Sequence, residues 1–263
     1  IPQGLYAEDN QMAGTDSHRA AVLQRLIDDN EIKAILCARG GYGTVRILDC
    51  LNLTALEQHP KWIIGYSDVT ALHSHVHNLL GMETLHATMP INIPPDAAAV
   101  PYPATDSLRQ ALFAGSCEYN IQCSTTLLRP GKAEGVVVGG NLSVLYSIVG
   151  SQSDIDTAGK ILFIEDLDEY LYHIDRMMMC LKRSGKLDNL RGLIVGGMSD
   201  MHDNAIPFGK TAEEIIWDAV KEYDYPVCMG MPFGHIGMEN LALILGRQTK
   251  LTIQPNGDVT IKQ

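Results

Sequence analysis

Basic clusters are missing from this sequence. Its 20 lysines and arginines are outnumbered by 31 aspartates and glutamates, for a formal net charge of −11. An acidic surface without a basic run repels phosphate backbones and anionic headgroups, so neither nucleic acid nor a membrane is an expected partner. No stretch approaches the roughly 18 consecutive apolar residues that span a bilayer. The opening residues, Ile1-Pro2-Gln3-Gly4, carry neither the basic n-region nor the apolar h-region of a secretory signal. They also lack a methionine, so an upstream segment is expected. The six cysteines (Cys37, Cys50, Cys117, Cys123, Cys180, Cys228) form no C-x-x-C pair and no zinc-ligand rhythm. Scattered in this way they read as buried, reduced thiols of a cytoplasmic protein. No set of side chains has metal-ligand spacing, so the expected chemistry uses neither a metal nor another cofactor.

What is present is an ordinary globular composition, 46% hydrophobic and 19% charged. The 263 residues suffice for one large domain or two modest ones. The first half alternates short apolar runs with amphipathic stretches. A helix is expected over 18–29, where Ala21, Leu23, Leu26 and Ile27 share a face. A strand over 33–38 then feeds Arg39-Gly40-Gly41-Tyr42-Gly43, and 44–51 reads as helix. A second strand, 62–66, leads to a helix over 68–80, and a third strand follows at 84–89. Strand, tight turn and helix in alternation predict a parallel α/β sheet with its functional loops at the carboxyl ends of the strands. Prolines 94, 95, 101 and 103 interrupt the pattern, and 93–118 reads as a linker. Beyond it come β-like segments at 121–128 and 133–138, a helix over 142–149 and a strand over 160–164. A helix over 170–184, a strand over 193–197, a helix over 211–223 and a hairpin turning at Asn256-Gly257 complete the chain.

Ser67 sits where the second strand turns into a helix. A serine there is presented on a sharp turn beside the amide donors of the helix start, although Val69 stands where a G-x-S-x-G elbow has its second glycine. The same position also suits a plain N-cap. Nine histidines compete as its base. His73, His75 and His77 fall on one helix, with His75 on a different face from the other two, and read as packed or solvated. His173 and His202 have polar neighbours and no distinguishing context. His235, in Pro232-Phe233-Gly234-His235, lies on a small-residue loop between two apolar runs, a placement that suits a base or a simple turn. Glu165 ends a buried strand and is either a partner for an imidazole or the start of the acidic stretch that continues through Asp166, Asp168 and Glu169. The 40–43 glycines lack the lysine of a phosphate loop, but their exposed N–H groups suit half of an oxyanion hole.

Taken in order, Ala38-Arg39-Gly40-Gly41-Tyr42-Gly43, Ile64-Gly65-Tyr66-Ser67-Asp68-Val69-Thr70-Ala71, Gly139-Gly140-Asn141-Leu142, Ile164-Glu165-Asp166 and Gly234-His235 resemble the LD-carboxypeptidases and their microcin-immunity relatives. The similarity runs from Ala13-Gly14-Thr15-Asp16 to the C-terminal hairpin. It implies a Ser-Glu-His triad of Ser67, Glu165 and His235, with the backbone amides of Asp68 and Gly41 as oxyanion donors. Asn141, on a strand-to-helix turn, is a candidate for substrate binding and equally for a structural turn role. It also implies an N-terminal Rossmann- or flavodoxin-like parallel-sheet domain over 1–92 and a smaller α/β domain with β-rich elements over 119–263, the triad meeting across the cleft between them. A further strand and helix that precede this sequence in the family are expected upstream.

The reaction so implied is release of terminal D-alanine from a peptidoglycan tetrapeptide, at the bond from an L-diamino acid, in cytoplasmic murein recycling. The expected partner is that small peptide, and a homodimer is the one protein assembly considered beside it. Two other readings stand beside it: a microcin-immunity-type peptidase cleaving a peptidyl-nucleotide conjugate, and a catalytically silent α/β binding protein. The first requires an aromatic platform for the base, and Trp62 and Trp217 are the only tryptophans.

Overall fold

The computed structural model describes residues 1–95, 102–123 and 125–263. Along the chain run α1 (Asp16–Asp28), β1 (Ala34–Leu36), α2 (Thr54–Gln58), β2 (Trp62–Gly65), α3 (Thr70–Leu80), β3 (Thr84–His86) and α4 (Pro103–Ala114). They are followed by β4 (Glu118–Gln122), β5 (Gly131–Asn141), α5 (Leu142–Ser147), β6 (Ile161–Leu167), α6 (Leu171–Arg183), β7 (Gly192–Ser199), α7 (Ala212–Val220) and β8 (Val227–Cys228). The last strands are β9 (Leu243–Leu245), β10 (Gln248–Ile253) and β11 (Asp258–Lys262). The expected mixture of parallel sheet and helices is what the chain forms, in two sheets; the C-terminal part, expected as the smaller domain, carries the larger sheet among the described residues, with seven strands against four. No helix among the described residues is long and apolar enough to cross a membrane.

In the first sheet β1, β2 and β3 run parallel, and β9 closes the edge antiparallel to β3. The C-terminal half therefore returns a strand to the sheet built by the N-terminal half. In the second sheet, of order β4-β11-β10-β5-β6-β7-β8, the last four strands are parallel and the first three form an antiparallel extension. β6 lies inside the parallel part, flanked by β5 and β7 and covered on both faces, which explains its unbroken apolar run. Leu162 and Ile164 pack with the helix side, including Ile174, Met177, Met178 and Leu181 of α6, while Ile161 and Phe163 pack on the opposite face with Phe233. Those four α6 residues recur at helical spacing and supply its buried stripe.

Two segments differ from the expectation. Thr44–Arg46 and Leu48–Cys50 are two separate 3-10 turns instead of one helix. Within the stretch read as a linker, α4 packs Leu108 and Ala111 against Ile64, Leu85, Ala242 and Ile244. Pro103 occupies its first turn, where no backbone N–H is needed, so a residue taken for a breaker is a helix starter. Residues 96–101 of that stretch lie outside the described residues.

The sheets meet behind the carboxyl ends of β2 and β5. The Asn141 amide donates to Thr70 Oγ1 across the junction at 2.9 Å. A Cβ on Gly140 would stand 2.4 Å from the same hydroxyl, so only glycine permits this approach.

Candidate active site

Ser67 opens a 3-10 turn at the end of β2 with φ of 64°, in the left-handed region that a serine rarely adopts. The turn is sharp because Gly65 lets the chain double back: a Cβ there would meet Val69 at 2.9 Å and Cys37 at 3.2 Å. The glycine-rich loop comes in from β1. A Cβ on Gly40 would lie 2.9 Å from Ser67 Cβ and 3.0 Å from its Oγ, so backbone instead of side chain faces the hydroxyl. Gly41, expected as an oxyanion donor, follows at φ 114°.

Asp68 was expected to act through its amide, and its side chain has a task that the sequence did not reveal. The buried carboxylate accepts from the Thr44 amide at 2.9 Å and from the Thr44 hydroxyl at 2.7 Å. It thereby clasps the glycine-rich loop to the turn that carries Ser67.

Glu165 and His235 are brought together. His235 Nδ1 lies 2.6 Å from Glu165 Oε2, and the His235 backbone N–H donates to the same oxygen at 3.2 Å. A carboxylate can only accept, so Nδ1 carries the proton and Nε2 presents its lone pair. Burial disfavours the imidazolium, but the hydrogen bond and charge of Glu165, with the charge of Asp166 behind it, outweigh burial and raise the His235 pKa above its usual value. Gly234 is required here: its φ is 91°, and a Cβ would stand 2.4 Å from Glu165 Oε2. The His235 ring packs against that of Tyr66, the residue before Ser67, with centroids 4.8 Å apart. Ser67 and His235 are not hydrogen-bonded to each other. Catalytic hydrogen bonds commonly lengthen in the absence of substrate.

The period of two along β6 divides its acids. Glu165 is fully buried, follows Phe163 on the site face, and leaves Oε1 without a partner among the described residues. Asp166 points to the other side and accepts from Asn141 Nδ2, the Ser143 amide and the Leu167 amide, each at 2.9 Å. Burial and the adjacent Glu165 charge push Asp166 up to about 7 despite those donors. Asn141, expected at the substrate, has its side chain engaged within the fold. It caps α5 by accepting from the Val144 amide at 3.2 Å and accepts from the Ser143 hydroxyl at 2.9 Å.

Most of the other histidines have separate engagements. His73 contacts the Gly65 carbonyl at 2.9 Å, and burial takes its pKa down to about 4. His75 meets Ser153 at 2.9 Å, and His77 meets the Met82 carbonyl at 3.2 Å. Glu169 takes His173 and Asp168 takes His202, each at 2.5 Å. His86, read only as part of a strand, lies fully buried between the Tyr66 and Phe163 rings with neither ring nitrogen bonded among the described residues. Cys37, beside the Ser67 turn, has its thiol pushed up to about 12 by burial and the Asp68 charge. No group of three His, Cys, Asp or Glu among the described residues is placed to hold a metal ion.

Residues 1–87 match the LD-carboxypeptidase N-terminal domain and residues 134–251 the LD-carboxypeptidase C-terminal domain. The probable murein peptide carboxypeptidase of Bacillus subtilis is 39% identical over 242 residues, covering 89% of this chain and 74% of that protein. The microcin C7 self-immunity protein MccF of Escherichia coli is 29% identical over 72% of this chain and 62% of its own length. Among solved structures, the muramoyltetrapeptide carboxypeptidase of Oxalobacter formigenes superposes with a TM-score of 0.86 at 23% identity, covering 97% of this chain and 87% of that one. That last likeness shows the fold.

Proposed function

The chain belongs to the LD-carboxypeptidase family, and from that premise we propose that it is a serine carboxypeptidase releasing D-alanine from murein tetrapeptides, with Ser67, His235 and Glu165 as its triad. The observation that carries this reading is the 2.6 Å bond from His235 to buried Glu165, set beside the strained turn of Ser67. In the mechanism, His235 Nε2 takes the Ser67 proton as Oγ attacks the carbonyl carbon of the diamino acid. The backbone amides of Asp68 and Gly41 hold the resulting oxyanion, donors each worth about 3 kcal/mol in the transition state. His235 then passes the proton to the departing D-alanine nitrogen, and water repeats the sequence on the acyl-enzyme. Glu165 fixes the tautomer and stabilises the imidazolium.

A reducing, cytoplasmic setting is consistent with six free cysteines. The substrate is then an internalised murein fragment. The two sheets serve as the two domains of the site, the first carrying the nucleophile and the second the base and its acid. The test is incubation with muramoyl tetrapeptide while D-alanine is assayed. Wild-type protein should release it, and Ser67→Ala should release less than a few per cent as much while retaining the wild-type melting temperature. Turnover by Ser67→Ala near the parent rate would assign the nucleophile elsewhere.

A further inference from the structure

Arg39 has no part in the mechanism above, and we infer that it is the counter-ion for the terminal carboxylate of the substrate, the group that restricts cleavage to the last peptide bond. The inference rests on the carboxypeptidase reading. In such a substrate only three bonds separate the scissile carbonyl carbon from the terminal carboxylate carbon, a reach of about 4 Å. The cation that receives the carboxylate must therefore lie beside the nucleophile and the oxyanion donors.

Arg39 occupies that place. It immediately precedes Gly40, whose backbone abuts Ser67 Oγ, and its side chain folds back over the loop. A Cβ on Gly41 would be 3.9 Å from one terminal guanidinium nitrogen and 4.0 Å from Nε. Its charge thus stands over the residue assigned to the oxyanion hole. The surroundings make a cation necessary, since Asp68, Glu165 and Asp166 are buried around the site in a chain of net charge −11. An incoming anion meets repulsion unless a specific positive group receives it.

Arg39 is also uncommitted. It is exposed, and among the described residues it makes neither a hydrogen bond nor a salt bridge. Arg46, the other arginine of the same loop, is held by Asp16 at 2.6 Å. A planar guanidinium accepts a carboxylate through two parallel N–H bonds, so it reads geometry as well as charge.

The experiment compares kcat/KM for the tetrapeptide with kcat/KM for the same peptide ending in a carboxamide, in wild type, Arg39→Ala and Arg39→Lys. Wild type should prefer the free acid by roughly 10- to 100-fold, the range that charged hydrogen bonds supply. In Arg39→Ala the ratio should fall towards one through loss on the acid. Arg39→Lys should retain part of the preference, having the charge without the fork. A wild-type ratio preserved in Arg39→Ala, or an equal loss on both peptides, would overturn the inference while leaving the carboxypeptidase reading standing. A wild-type protein that releases neither D-alanine nor its amide would overturn that reading, and the role of Arg39 with it.

Discussion

At the residue scale, the site depends on groups held in states that water would not favour. Ser67 keeps a left-handed backbone whose strain is of order 1 kcal/mol, a cost that persists because the turn is fixed by Gly65 and by the Asp68 clasp. His235 is held with a raised pKa, and that has a kinetic signature. The base must be neutral to accept the Ser67 proton, so kcat/KM should rise with pH along a limb centred above the ordinary histidine value. Glu165→Gln removes the Glu165 charge and its charged hydrogen bond, the larger of the effects that raise it, and leaves Asp166 and the burial that lowers it. The limb should then move to lower pH while the maximal rate falls by orders of magnitude. Asp168→Asn is the control, since Asp168 is exposed and paired with His202; its limb and rate should stay close to wild type. A pH–rate profile of the three proteins is the measurement, and an unmoved limb in Glu165→Gln would remove Glu165 from the triad.

At the scale of elements, the glycine-rich loop and the turn that carries Ser67 form a single unit joined through Asp68. Thr44→Val keeps the backbone donor but deletes the hydroxyl, leaving a buried carboxylate oxygen under-satisfied. A stability loss of about 1–3 kcal/mol is expected, together with a reduced kcat, because Gly40 and Gly41 would no longer be held against Ser67. Chemical denaturation and steady-state kinetics on the same preparation check both, and full kcat in a destabilised variant would separate the clasp from catalysis. This clasp also marks where the sequence stops being legible. Strand β2 followed by a turn could be read at Ser67 from the apolar run and the glycine, and β6 could be read up to Glu165. That Asp68 would reach Thr44 could not, since no local spacing encodes a contact between residues 24 apart. The same holds for Asn141, whose engagement with Asp166 depends on the register of β5 against β6. The helix α4 was hidden by prolines whose effect depends on position, harmless in a first turn and disruptive anywhere further along.

At the scale of the whole molecule, the three residues of the proposed triad come from both sheets, so activity requires the sheets to stay in register to a fraction of an ångström. The junction is tight at Gly140 and Thr70. Gly140→Ala puts a methyl 2.4 Å from Thr70 Oγ1 on a backbone with φ of 142°, so the Thr70 side chain or the elements on either side of the junction must shift. Two costs are combined there, backbone strain confined to residue 140 and steric displacement of the opposite sheet, and a double-mutant cycle separates them. Thr70→Ala removes the obstructing hydroxyl and methyl while sacrificing the bond from the Asn141 amide. If the clash between sheets dominates, Gly140→Ala should cost less in the Thr70→Ala background than in wild type, with a coupling above about 1 kcal/mol. The rate should respond with the same sign: D-alanine release lost by Gly140→Ala should be partly recovered in the double variant, because relieving the junction returns Ser67 towards His235. Additive stability losses with no recovery of rate would mean that the effect is local strain at residue 140 and that the placement of one sheet on the other does not set the geometry of the triad.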